Sequence, residues 1–288
     1  STSKTPSYTK SVSWQHHPGA GRKRTIVVEG VNDCRFFGQW YGGVENLRFV
    51  AADGKQNVIA SYKEFMKNPM MVSRRGMFFC VDVDWDFVHK FPPMNKEFVI
   101  MNSACLITNK HFYNDMEIFL VNTVALDKVL ASYDIDTSKS HIRDLKNKIE
   151  VASRIIGKYR AADNITKNRL SLYKSVLNGL DAMTYFDSKT LTINEASLIA
   201  AMPSWSNYPH HVDDLIKDAE ILERNNPQPW SLSNGHDVTE MLAEYIKFLM
   251  GYRELSKEKI ERELRLSCEL HDFSSTPMYS KMVSENLI

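Results

Sequence analysis

The chain has 288 residues, 43% hydrophobic and 25% charged, the make-up of an ordinary globular protein with room for one large or two modest domains. No apolar run reaches the roughly 20 residues a membrane-spanning helix needs, so a membrane partner is not expected. Four scattered cysteines (Cys34, Cys80, Cys105, Cys268) form no CxxC pair, which excludes a zinc finger and favours buried free thiols in a reducing, cytoplasmic setting.

Residues 1–22 open on a polar, Ser/Thr/Lys-rich stretch without a signal-peptide core and read as a tail. Residues 23–135 then alternate strand and helix signals. Thr25–Glu29 is a β-branched run stopping at Gly30. Asp33–Tyr41 has a helical apolar pattern closed by Gly42-Gly43. Leu47–Ala51 reads as a second strand, Asp53-Gly54 as a turn and Val58–Met66 as a helix. Met77–Val81 is a third strand, running into Asp82-Val-Asp84-Trp-Asp86, and Phe98–Met101 and Cys105–Thr108 are short strand candidates. Met116–Ala131 is a further helix. This alternation predicts an α/β domain with a mostly parallel sheet flanked by helices.

Strand signals fade in residues 136–288, where an all-helical region is expected. Ile142, Leu145, Ile149, Ala152, Ile156 and Tyr159 mark one helix stripe, and Ile165–Leu180 a second helix. Helices also fit Asn194–Met202, Val212–Arg224, Val238–Tyr252 and Lys257–Leu270.

In parallel sheets, ligands bind beyond the carboxyl ends of the strands. Two acidic clusters fall there: Glu29 with Asp33 one helical turn on, and Asp82, Asp84 and Asp86 spaced by two. Continued strand alternation would point those three aspartates to one side. Asp115 and Glu117 open the next helix as a third acidic pair. Convergent carboxylates need a cation, and oxygen-only ligands suit Mg²⁺ or Mn²⁺ rather than zinc. Such a metal could orient a phosphodiester and lower the pKa of a water. Each feature also has a plain structural reading as a cap, an ion pair or a loop DxD.

The ordered set resembles the Toprim domain, the metal-dependent module of topoisomerases, primases and OLD-family nucleases, with Glu29 as its first-strand glutamate and Asp82-x-Asp84 as its Asp-x-Asp, 53 residues apart. Further phrases are Val28-Glu29-Gly30-x-x-Asp33, Asp53-Gly54-Lys55-x-Asn57-Val58, Asn114-Asp115-Met116-Glu117 and Asn234-Gly235-His236-Asp237. With them the chain is similar to the Toprim-containing family that includes the nuclease effector of the PARIS anti-phage system. The resemblance implies a metal-dependent nuclease whose AriB-like branch cleaves tRNA. It further implies an ABC-type ATPase partner that holds the effector inactive and a homodimer when active. The alternatives are a DNA-cleaving Toprim endonuclease, a haloacid-dehalogenase-like phosphatase and a non-catalytic Toprim adaptor. The phosphatase is disfavoured because Glu29 stands where its nucleophilic aspartate should be. Trp85 departs from a plain acidic cluster: it could shield a metal or stack on a base.

Lys55 is a candidate partner for a scissile phosphate, with a solvated surface lysine as its plain alternative. His236 could donate a proton or bind phosphate, or with Asp237 simply cap the helix that follows. Residues 139–174 carry 10 basic and 3 acidic side chains. From them Arg143, Lys146, Arg154, Lys158 and Arg160 are expected to track a nucleic-acid backbone. His16-His17 and His210-His211 read as surface features. No GxxxxGK[ST] loop occurs, so ATP-driven steps would fall to a partner.

Overall fold

The computed structural model describes residues 24–86, 88–89, 99–101, 106–108, 111–139, 142, 144–251 and 254–288. The chain is mixed α/β and divides into two compact units. One comprises the described residues of 1–83, 92–104 and 270–288, and the other those of 84–91 and 105–269. The sequence border at 135/136 instead leaves residues 270–288 with the helices. Among the described residues no helix is long and apolar enough to cross a membrane.

The first unit holds β1 (Arg24–Val28), α1 (Val31–Tyr41), β2 (Leu47–Ala51), α2 (Lys55–Met66), α3 (Pro69–Ser73), β3 (Met77–Val81) and β4 (Val99–Met101). The strands form one parallel sheet in the order β2-β1-β3-β4. Central β1 and β3 are near-continuous apolar runs because helices cover both faces. Ile26, Phe49 and Phe78 stand in register and share one face, where Phe37 of α1 stacks on Phe49 at 5.0 Å. On the opposite face Tyr62 and Phe65 of α2 meet Phe79, each with ring centroids 5.5 Å apart.

The chain's last helices, Leu270–Ser274 and Pro277–Ser284, join the α1 face. Phe273 contacts Phe36, Phe37 and Trp40, and Met278 lies 3.9 Å from the Cys80 sulfur. Arg75 pairs with Glu285. Aromatic packing, which composition alone does not assign to a domain, thus returns the C-terminus to the sheet.

The second unit begins with β5 (Leu106–Thr108) and β6 (His111–Phe112), paired antiparallel and not part of the parallel sheet. It continues with α4 (Met116–Val121), α5 (Ala125–Ser132), α6 (Leu145–Arg169), β7 (Phe186–Asp187), β8 (Thr192–Ile193), α7 (Glu195–Trp205), α8 (Val212–Asn225), α9 (Gly235–Met250) and α10 (Lys257–Ser267). The β7–β8 hairpin corrects the all-helical expectation for this half. The stripe Leu145, Ile149, Ala152, Ile156 and Tyr159 is buried, as its spacing requires. Gly157 sits where the Leu232 carbonyl crosses α6: a β-carbon there would lie 1.8 Å from that oxygen.

Candidate functional site

In the first unit the carboxyl ends of β1 and β3 bring Glu29 and Asp82 together. A Glu29 carboxylate oxygen accepts the Asp82 backbone N–H at 2.7 Å. The β1–α1 and β2–α2 connections are short, so the elements after the strands also gather there. The Gly54 N–H donates to the Glu29 carbonyl at 2.9 Å, and Lys55, the first residue of α2, donates from Nζ to the Val83 carbonyl at 3.0 Å. Asp33 is buried and accepts the Gly30 N–H at 2.8 Å, closing the first turn of α1. There it closes the helix start as one half of a capping arrangement.

The strand does not continue through the aspartates. It ends at Val81, and Asp84 and Trp85 take left-handed backbone angles, φ +45° and +63°. The period-two alignment of Asp82, Asp84 and Asp86 therefore fails: the chain turns instead of alternating.

Within the second unit this turn is clamped by Asn114. The Asn114 carbonyl accepts the Asp84 N–H at 3.0 Å, and its side-chain oxygen accepts the Trp85 N–H at 3.0 Å. The Asn114 amide group donates to the Ser231 and Ser233 carbonyls. The Trp85 indole N–H donates to the Leu232 carbonyl at 3.0 Å, which ties this half-buried side chain to the loop.

Asp115 caps α4 through the Ile118 N–H, and its other oxygen accepts the Gly235 N–H at 2.7 Å. Burial raises its pKa, the two backbone hydrogen bonds oppose this, and the Asp84 carboxylate adds to it. Glu117 is raised by burial and by the Asp115 and Glu261 carboxylates, which together outweigh the opposing His236 imidazole; Arg265 lies 3.6 Å away. His236 Nδ1 lies 2.8 Å from buried Glu261, and that hydrogen bond raises the imidazole above its ordinary range. Asp237 is not the cap of α9: Asn234 accepts the His236 and Asp237 N–H groups, while Asp237 binds Arg160.

The basic tract is largely engaged with protein partners. Arg154 holds Glu150 and the Asn226 and Gln228 carbonyls. Lys158 is buried between Glu195 and Glu223, at 2.8 and 2.7 Å. Arg160 makes a two-pronged pair with Asp237. Their first duty is structural, a reason the local charge excess could not reveal. Lys146 is half-buried on α6, and Arg143 lies outside the described residues, as do His16 and His17. His211 pairs with Asp214 at 3.0 Å. Cys80 and Cys268 are buried free thiols and Cys34 is half-buried; Cys105 lies outside the described residues.

Every predicted metal ligand is a carboxylate, the donor type that suits Mg²⁺ or Mn²⁺. In the second unit Asp84 raises Asp115, and Asp115 and Glu261 raise Glu117, a crowding of carboxylates that the His236 imidazole offsets in part. Among the described residues no three His, Cys, Asp or Glu side chains converge as a ready ligand set. The fit is therefore one of donor chemistry, without a formed cage. Asn114, Glu261 and Arg265 went unnoticed as site residues in the sequence; only the phrase beginning at Asn114 drew attention to its surroundings. Comparison with protein-family models, curated proteins and solved structures gives no match.

Proposed function

We propose that the chain is a metal-dependent nuclease of Toprim type that cuts phosphodiester bonds in RNA, with tRNA the favoured substrate. One observation carries this reading: Glu29 and Asp82, 53 residues apart, meet through a 2.7 Å hydrogen bond at the carboxyl end of adjacent parallel strands. A parallel α/β sheet places reactive groups at that edge, where the Toprim resemblance would set its first-strand glutamate and its Asp-x-Asp.

Glu29 and Asp82 would hold the divalent ion. Bound there, Mg²⁺ or Mn²⁺ would supply an activated water and neutralise charge on a leaving oxygen. Lys55 stiffens the edge through the Val83 carbonyl and brings a positive charge beside it. The resemblance also supports an ABC-type ATPase partner, a homodimeric active form and a cytoplasmic setting as parts of the proposal.

The test is incubation of the isolated chain with Mg²⁺ or Mn²⁺ and total RNA, tRNA or plasmid DNA, beside Glu29→Gln. Metal-dependent cutting should fall at least ~100-fold in the variant. Cutting that survives Glu29→Gln, or that needs no metal, refutes the assignment. Cutting confined to plasmid DNA would replace the RNA substrate with DNA.

A further inference from the structure

A cavity of about 560 Å³, within the usual range for small-ligand sites, opens beside the start of α9. Three cationic side chains line it, Arg160, His236 and Lys257, with three acids, Asp181, Asp237 and Glu240. Two of the acids, Asp237 and Asp181, are hydrogen-bonded to protein partners. Both Asp237 oxygens accept from Arg160 at 2.8 and 2.9 Å. Asp181 accepts the Met183 N–H at 3.0 Å and the Thr184 hydroxyl at 3.1 Å. Glu240 faces Lys257 at 3.6 Å, beyond hydrogen-bond range.

The bases keep donors to spare. Arg160 uses Nε and Nη2 on Asp237 and the Leu180 carbonyl, and no described residue accepts from its Nη1. Anchored this way the guanidinium is held in place before any ligand arrives. The carboxylate of Glu261 can only accept, so Nδ1–H of His236 is turned to it, and the imidazolium ring offers its Nε2–H to a ligand. The His236 side chain is 64% exposed while Glu261 beneath it is 5% exposed. Lys257 forms an ion pair with Glu240 at 3.6 Å, too long to occupy one of its three N–H donors in a hydrogen bond. Each base faces one carboxylate and still keeps an N–H donor, and a ligand met by such donors is an anion.

We infer that this cavity is a phosphate-binding subsite, in which Arg160, His236 and Lys257 seat a phosphate group of a nucleotide ligand. Assigning that phosphate to a polynucleotide substrate rests on the nuclease reading; the anion site itself rests on the cavity.

Calorimetric titration of the full chain with adenosine 5′-monophosphate, the dinucleotide ApA and adenosine tests the inference. Either phosphate-bearing probe should bind at least about tenfold more tightly than adenosine, the worth of one charge-assisted hydrogen bond. A preference for the monophosphate indicates a chain end or a free nucleotide, and a preference for ApA an internal phosphodiester. Lys257→Met, on a half-buried side chain, should weaken that binding about tenfold without abolishing a cooperative melt. His236→Asn keeps a donor for Glu261 but loses Nε2, and should weaken it similarly. Adenosine binding as tightly as its phosphates, no binding at all, or full affinity in both variants would overturn the subsite. Glu29→Gln separates the two ideas: if it still cuts RNA the nuclease assignment falls, while phosphate binding lost in Lys257→Met keeps the subsite standing.

Discussion

Replacing Asn114 with alanine removes three side-chain hydrogen bonds at once, each 2.9–3.0 Å long. The residue is 2% exposed, so water cannot take over without opening the structure. The Trp85 N–H and the carbonyls of Ser231 and Ser233 would each lose a partner. One buried polar group left unsatisfied costs about 1–3 kcal/mol. The left-handed angles at Asp84 and Trp85 store roughly 1–2 kcal/mol apiece and rely on this clamp to persist. Asn114→Ala should therefore destabilise the second unit by about 3–5 kcal/mol, the strained turn relaxing to recover part of the loss. Urea denaturation followed by tryptophan fluorescence reads both effects, since Trp85 lies within the clamp. A loss below about 1 kcal/mol with an unchanged emission maximum would show that the turn holds itself and that Asn114 is incidental.

Gly157→Ala should cost about 3 kcal/mol, because its β-carbon would stand 1.8 Å from the Leu232 carbonyl and backbone has to move; a thermal melt unchanged from wild type would contradict the close approach. Lys158→Met should cost about 2–3 kcal/mol at neutral pH by leaving Glu195 and Glu223 facing each other without their cation. Burial alone would lower the Lys158 pKa, but its hydrogen bonds to Glu195 and Glu223 raise it above 10.5, so its contribution is present below that pH and fades as pH rises further. Burial opposes ionisation of Glu195, yet the hydrogen bonds from Lys158 and Tyr159 lower it below 4.5, so its contribution is present above that pH and is lost as pH falls. The penalty of Lys158→Met should thus shrink in denaturation curves taken near pH 3; a penalty constant from pH 3 to 8 would refute the ionic account.

The parallel sheet was legible because its central strands are buried on both faces. Ile26–Val28 and Met77–Val81 had to be apolar throughout, and no helix period fits runs so short. Helix ends were less legible where side chains compete with the backbone. Met116–Ala131 reads as one helix, yet Asn122 donates to the Ile118 carbonyl and Thr123 to that of Leu120, and the Thr123 hydroxyl then caps Ala125. The converse occurs in α6, where two expected helices are one of 25 residues, because nothing between Tyr159 and Ile165 breaks it. Past Arg169 the chain turns through Ser171 at φ +52°. Of the site, Glu29 and Asp82 were legible from strand ends. The turn at Asp84 was not, because a left-handed tryptophan leaves no composition signal. The partners of Lys158 and Arg160 lie 65 and 77 residues away, beyond any local count of charge.

The strained turn and the cavity share one support, the segment 231–235. Trp85 donates to Leu232, Asn114 to Ser231 and Ser233, and Asp115 accepts from Gly235. The Ser233 hydroxyl meets that of Ser153 on α6 at 2.7 Å. Further along the same path, Asn234 and His236 line the cavity. Gly235 between them has no room for a side chain, since a β-carbon would lie 2.3 Å from Asp115. Buried serines and an asparagine are poor core residues unless each finds a partner, and here each does. The polar segment makes sense as a brace that fixes the Asp84 carboxylate's backbone and the cavity wall from one loop. Such a brace explains why a turn costing strain persists: relaxing it would unpair the loop that sets His236 on Glu261.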